Sequence, residues 1–401
     1  MKVLFLTREF PPYVYGGAGV HVEYLAAQLA KLMEVEVRSF GDQDVQNENL
    51  AVTGYDFDSN AFAKADSKLK AVLQTVSTGT HMNIKPVDAD VVHCHTWYSH
   101  FAGIMAKLCY GTPLVVTTHS LEPLRPWKRD QLGRGYDASS WIEKTAIEMA
   151  DAVIAVSQET KEDVLKYFDV DEKKIEVIYN GIDLQQYQKT TATGALEKYQ
   201  VDPKKPFVLF VGRITQQKGI IHLVNAIKYI DPETQIVLCA GAPDTKEIAE
   251  EMKHAVHGVQ KDRDNVIWID EMLDKASVIQ LYSHASVFCC PSIYEPFGII
   301  NIEAMACGTP VVASAVGGIK EVVVPNETGI LVPVEQQQEA PFEAVDPDQF
   351  SRDLAAGINK VISDPELKRR MSIAGRKRVE EHFDWTAIAQ QTADLYSTLK
   401  A

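Results

Sequence analysis

The chain has 401 residues, 46% of them hydrophobic, with 40 Lys plus Arg against 55 Asp plus Glu, a formal net charge of −15. At roughly 100–200 residues per domain the length predicts two domains, and the acidic balance argues against a nucleic-acid or anionic-membrane partner, each of which needs basic patches. No apolar run approaches the ~20 residues of a membrane span, Arg8 and Glu9 cut the first apolar stretch too short for a signal peptide, and the six cysteines, with no Cys-x-x-Cys pair, read as small buried side chains in a reducing cytoplasm.

From the N-terminus, Val3–Thr7 predicts a short buried strand, followed by a glycine-rich loop and a helix on which Val22, Leu25, Leu29 and Leu32 recur at spacings of three and four. The runs 91–94, 114–118 and 152–156 are apolar nearly throughout, as strands of a parallel sheet buried on both faces are. Residues 184–199 are polar and read as a linker. The pattern then restarts with a strand at 207–211, a loop 212–219 and a helix carrying Leu223, Ala226, Ile227 and Ile230. Strand–helix alternation of this kind predicts an α/β chain with two Rossmann-like doubly wound domains, 1–183 and 200–375. The tail 376–401 ends in a helix striped by Trp385, Ile388, Ala389, Thr392, Leu395, Tyr396 and Leu399, which is expected to pack back on the first domain. Residues 335–347 read as a surface loop.

Three segments carry chemistry. Arg8–Gly19 joins the first strand to the first helix. Its Gly16-Gly17-x-Gly19 pattern lets a ligand approach bare backbone beside a helix N-terminus, which favours anions. A glycine-softened turn is the competing reading, and the spacing is not the dinucleotide fingerprint G-x-G-x-x-G. In the second half, Arg213 and Lys218 flank a turn at the carboxyl end of a strand, the edge where open α/β sheets bind ligands, and both suit phosphate oxygens. Finally, Glu295-Pro296-Phe297-Gly298-Ile299 precedes a helix whose first amides suit a diphosphate, with Glu303 eight residues after Glu295 placed to accept from ribose hydroxyls.

Together these motifs resemble the retaining glycosyltransferases of family 4, the family that contains the bacterial glycogen synthases; Glu295 and Glu303 match its E-x7-E motif. The resemblance covers essentially the whole chain. It extends to the short actinobacterial-type glycogen synthases, also described as maltose-1-phosphate synthases, through residues 7–12, 14–22, 95–98, 119–128 and 238–245. The classical glycogen synthases have Lys-x-Gly-Gly where this chain has Val14, so no lysine role is carried over there.

The resemblance implies a GT-B fold, two Rossmann-like domains facing each other across a cleft. It implies transfer of glucose from a nucleoside diphosphate glucose, ADP-glucose or UDP-glucose with the former favoured, to form an α-1,4 linkage on a glucan end or on glucose 1-phosphate. A related family 4 enzyme using a UDP- or GDP-sugar and another small acceptor is the alternative. The diphosphate would meet Arg213, Lys218, the amides after Phe297 through Gly298 and Ile299, and the Gly16-Gly17 loop. Glu303 would hold the ribose and Glu295 the glucose hydroxyls. His119 lies beside the anomeric carbon in the family, its backbone carbonyl stabilising developing charge.

On the acceptor side stand Glu9, Tyr15 and His95, with Arg125 and Lys128, three apart in a basic segment after His119. A solvent-facing basic loop is the bland alternative for that segment. Asp42-Gln43-Asp44 reads as solvated acids rather than a metal motif. His93-Cys94-His95 has no third ligand near it in the sequence. No metal and no resident cofactor is therefore expected, and a homo-oligomer is left open. A two-domain solute-binding protein would leave these motifs without a purpose, and an oxidoreductase would need the missing fingerprint.

Overall fold

A computed structural model describes residues 1–56 and 60–399. The chain forms two compact units, Met1–Gly181 with Trp385–Ala401, and Ile182–Asp384.

The first unit is built on an eight-stranded sheet: β1 Lys2–Thr7, β2 Glu34–Phe40, β3 Asp44–Gln46, β4 Leu50–Tyr55, β5 Val91–His95, β6 Leu114–Thr118, β7 Ala152–Ala155 and β8 Ile175–Val177. Their order is β3-β4-β2-β1-β5-β6-β7-β8, and all pairs are parallel except β3 with β4. β1, β5, β6 and β7 are buried almost throughout, which is why they read as continuous apolar runs rather than alternating ones. The chain leaves β1 toward one edge and β5 toward the other, so their carboxyl ends flank a topological switch point, with Thr7 in register with His95.

The second unit is a six-stranded sheet: β9 Phe207–Arg213, β10 Gln235–Gly241, β11 Val266–Ile269, β12 Val287–Cys290, β13 Val311–Ser314 and β14 Gly329–Val332. Its order, β11-β10-β9-β12-β13-β14, is the doubly wound 3-2-1-4-5-6 arrangement with every pair parallel. Its switch point lies between β9 and β12. The helix Pro347–Ser363 covers the sheet with Phe350, Leu354, Ile358 and Val361, spaced at helical intervals.

The helix Trp385–Leu399 joins the first unit's core through Trp385, Ile388, Ala389 and Tyr396, with Leu395 and Leu399 packed against it. The stretch 184–199, expected as a linker, lies within the second unit: Tyr187, Ala195 and Leu196 are buried, and the amide of Ala195 donates to Gln280 Oε1. Leu32 falls after the end of the helix Gly17–Leu29 and is 49% exposed. Cys109 is exposed while the other five cysteines are buried, and none is bonded to another. Among the described residues, no helix is long and apolar enough to cross a membrane.

Candidate active site

The switch point of the second unit gathers the charged groups expected there. β9 ends at Arg213, whose guanidinium donates to the Asp244 carboxylate from the loop after β10. Thr215 Oγ1 accepts from the amide of Lys218 at 3.2 Å and closes the turn Gln216–Lys218. Gly219 follows at φ +58°, where a Cβ would stand 2.1 Å from the carbonyl oxygen of Pro291, so only glycine fits. The Lys218 ammonium then reaches Glu295 Oε2 at 2.6 Å, and Ser292 Oγ donates to the same oxygen at 3.2 Å. Burial pushes the Lys218 ammonium down, but the Glu295 carboxylate outweighs it, and the ammonium is held above its ordinary range.

Gly298, at φ +99°, opens the helix Ile299–Ala306, which carries no side-chain cap; within its first turn the amide of Asn301 donates to the Gly298 carbonyl oxygen at 2.9 Å. Phe297 is buried at its base. Glu303, one turn on, accepts from Tyr187 at 3.0 Å through Oε1 and from Tyr282 at 3.1 Å through Oε2. Burial raises its carboxyl above the usual range against the pull of both phenols. Each oxygen keeps a second lone pair for a hydroxyl donor.

In the first unit the loop after β1 is ordered by Glu9. Its Oε2 accepts from the amides of Tyr15, at 2.7 Å, and Gly16, at 2.9 Å. A Cβ on Gly19 would lie 2.6 Å from that oxygen, so this glycine makes room for the carboxylate. Glu9 therefore shapes the loop, and the amide of Gly16, in the loop expected to meet the diphosphate, is taken, as is that of Tyr15. The helix beginning at Gly17 has no side-chain cap, and Tyr15 is exposed.

His95 ends β5, and His119 follows β6; His95 Nδ1 and His119 Nε2 are 3.2 Å apart. Thr96 has φ +66°, a costly conformation for a β-branched residue. Ser99 Oγ, which accepts from the His95 amide, and donates to its carbonyl, holds that turn. His21, one turn into the helix after the glycine loop, enters the same cluster, its ring centroid 4.7 Å from that of His119. Burial drives the imidazoles of His93, His95 and His119 well below their ordinary range and that of His21 to about 4, so all four are neutral near pH 7. His93 is fixed by Tyr396 and Thr117, at 2.5 and 2.6 Å, and serves the core.

Beyond His119, Arg125 Nη1 donates to Ser120 Oγ at 2.7 Å and lies 3.8 Å from Glu122 Oε1, whereas Lys128 donates to Gln131 at 3.0 Å. The two cationic heads, expected to share one phosphate, thus turn to different partners. Glu122 and Glu143 are buried together beneath the segment, the Glu122 amide donating to Glu143 Oε2 at 2.7 Å. Burial, then the nearby Glu122, holds the Glu143 carboxyl well above the carboxylate range. Asp42 and Asp44 are exposed, Asp42 accepting from Tyr13 at 2.8 Å.

Asp244, Tyr187 and Tyr282 were given no role by the sequence reading because each meets its partner across a distant loop or helix, and Ser292 because a serine three residues before Glu295 carries no signal of its own. His21 fell within the segment 14–22 that carries the resemblance but was given no role, and Asn180 was not singled out.

Comparison with known proteins gives the chain its relatives. Residues 15–186 match the model described as Glycosyltransferase Family 4, and residues 195–378 match Glycosyl transferases group 1. The chain is 46% identical over 408 aligned positions to the alpha-maltose-1-phosphate synthase of Mycolicibacterium smegmatis, covering 100% of both chains. It is 44% identical over 404 positions to the protein of the same name from Mycobacterium tuberculosis, covering 99% of each. Among solved structures, the sucrose-phosphate synthase of Thermosynechococcus elongatus superposes with a TM-score of 0.80 at 26% identity, covering 100% of this chain and 99% of that one.

Proposed function

The chain belongs to glycosyltransferase family 4, and on that premise we propose that it is a retaining α-glucosyltransferase that moves glucose from a nucleoside diphosphate glucose, ADP-glucose by preference, to glucose 1-phosphate. The product is maltose 1-phosphate, joined by an α-1,4 linkage, with a glucan end as the second acceptor and the cytoplasm as the compartment. One observation carries the choice of acceptor: the full-length relatives are named for that product, and this chain places Arg125 at Ser120, the residue after His119.

In this reading the second unit holds the donor. Arg213, Lys218 and the amides from Gly298 and Ile299 receive the diphosphate, Glu303 the ribose and Glu295 the glucose hydroxyls. As the bond to the leaving diphosphate breaks, negative charge grows on it. Fixed cations and oriented amides stabilise that charge without reorganising, the largest ordinary term in such catalysis. The sugar becomes oxocarbenium-like, the family resemblance assigns His119 the place beside its anomeric carbon, and the acceptor hydroxyl attacks from the face the diphosphate leaves, passing its proton to the departing diphosphate oxygen. Arg125, and Lys128 after turning from Gln131, take the acceptor phosphate.

A donor-by-acceptor matrix with product masses tests the function directly. Arg125→Ala is expected to raise the KM for glucose 1-phosphate about tenfold or more, the scale of one lost charge-assisted hydrogen bond. Lys128→Ala raises it less, and in both the KM for the nucleotide sugar stays near that of the parent. Unchanged KM values in both variants, or no consumption of glucose 1-phosphate, would move the function to glucan elongation alone. Because protein cations and amides meet the leaving group, a divalent clamp is redundant, and turnover is expected to persist in EDTA. Activity lost there and restored only by Mg²⁺ or Mn²⁺ contradicts this.

A further inference from the structure

We propose that His21, His95 and His119 form a binding site for a zinc-type divalent cation within the first unit. Three separate elements bring them together: the helix after β1, the end of β5 and the loop after β6. One ring nitrogen from each lies within 4.8 Å of the others. The 3.2 Å between His95 Nδ1 and His119 Nε2 is close to the ~3.3 Å that separates two ligands of one tetrahedral zinc at ~2.0–2.1 Å.

His95 and His119 are hydrogen-bonded to each other at that distance, but His21 keeps a ring nitrogen that no hydrogen bond within the cluster uses. His21 Nδ1 is 2.6 Å from Asn180 Oδ1, and an amide oxygen only accepts, so Nδ1 carries the proton and Nε2 presents a lone pair. That Nε2 is buried with no hydrogen-bond partner. A metal-binding histidine ordinarily donates its outer N–H to an oxygen acceptor that fixes tautomer and ring orientation, and the Asn180 side-chain oxygen serves as that acceptor here. His95 Nε2 is also buried and without a partner, and it can carry its ring's proton while Nδ1 binds. Burial keeps the three rings in their neutral, ligating form. His119 is the least buried of the three, so the fourth position opens on its side, as in sites that retain one exchangeable ligand. An all-imidazole set selects zinc, cobalt, nickel or copper and not magnesium, which demands oxygen. The site is therefore distinct from any Mg²⁺ requirement.

A consequence follows that rests on the proposed glucosyl transfer: with His119 beside the reacting carbon, bound zinc excludes the donor sugar and inhibits. Titration of the intact, chelator-treated protein with Co²⁺ tests the site without turnover. One equivalent is expected to give the visible d–d bands of four-coordinate cobalt, bleached by Zn²⁺. Asn180→Ala, which spares all three ligands, weakens Co²⁺ binding ~10–100-fold, and His21→Ala abolishes the bands. His100→Ala, which removes a buried histidine outside the cluster, leaves them unchanged. Circular dichroism confirms that each variant is folded, and the parent titration decides the matter should His21→Ala fail to fold. Absence of a saturable 1:1 complex in the parent overturns the site, as does undiminished binding in Asn180→Ala and His21→Ala. Zinc binding without inhibition of an active enzyme would leave the site standing and remove only its competition with the sugar.

Discussion

Glu295→Gln and Arg213→Ala are each expected to lower kcat by at least ~100-fold, the scale on which one preorganised electrostatic group acts. The two act differently. Gln at 295 preserves the shape of the side chain and can still accept from Ser292, but it removes the charge that Lys218 meets at 2.6 Å. The ammonium is left without its carboxylate where both are largely buried, which also costs stability. Melting curves therefore accompany the kinetics. Arg213→Ala removes a cation and strands the Asp244 carboxylate, only 10% exposed, where a diphosphate must bind. The double variant Arg213→Ala/Asp244→Asn separates the two effects. Turnover should stay low in it if Arg213 itself stabilises the leaving group. Recovery would assign the loss to repulsion by Asp244. Near-normal kcat in either single variant removes that residue from the catalytic set.

The sheets and the positions of the chemistry were legible because both follow local rules. Strands buried on two faces read as apolar runs, and the motifs fall where open α/β sheets place ligands, at the carboxyl ends of β9 and β12 and of β1, β5 and β6. Periodicity misplaced Leu32, since apolar spacing persists through a turn after the helix has ended. Polarity misread 184–199: a segment can be polar on one side and still bury Tyr187 and Leu196. What the sequence does not reveal is which partner each functional group takes. Glu9 reads as a ligand-facing acid until the fold shows its oxygen bound to two amides of its own loop. His21 and Asn180 are 159 positions apart, and only folding turns that pair into an oriented imidazole. The further histidines absent around His93-Cys94-His95 in the sequence, His21 and His119, arrive from two other elements, while His93 points away to Tyr396.

Gly317→Ala is expected to damage both the stability of the second unit and its catalysis, although residue 317 carries no chemistry. It follows β13 at φ +52°, and a Cβ there would stand 2.0 Å from the carbonyl oxygen of Glu295. The next amide, of Gly318, donates to that same oxygen at 2.9 Å, and a Cβ on Gly318 would lie 2.4 Å from the carbonyl oxygen of Pro296. Two glycines thus let the 317–318 turn press directly on the backbone that carries Glu295 and leads to Gly298. An alanine at 317 pays the left-handed conformation, ~1–2 kcal/mol, and must also displace main chain, ~1–3 kcal/mol. Near ~3 kcal/mol in all, this lowers Tm by ~6–12 °C for a unit of this size. Because the displaced backbone is that of Glu295, kcat should fall at least ~10-fold, as ångström-scale misplacement does. Gly308→Ala in the same unit is the control: its φ is +75°, but the nearest atoms to a Cβ are side-chain ends, Ser372 Oγ at 3.2 Å and Lys189 Cδ at 3.7 Å. It should cost only the ~1–2 kcal/mol of the backbone conformation and leave kcat within about twofold. Equal losses of stability and of kcat in the two variants would show that contact with the 317–318 turn does not position Glu295.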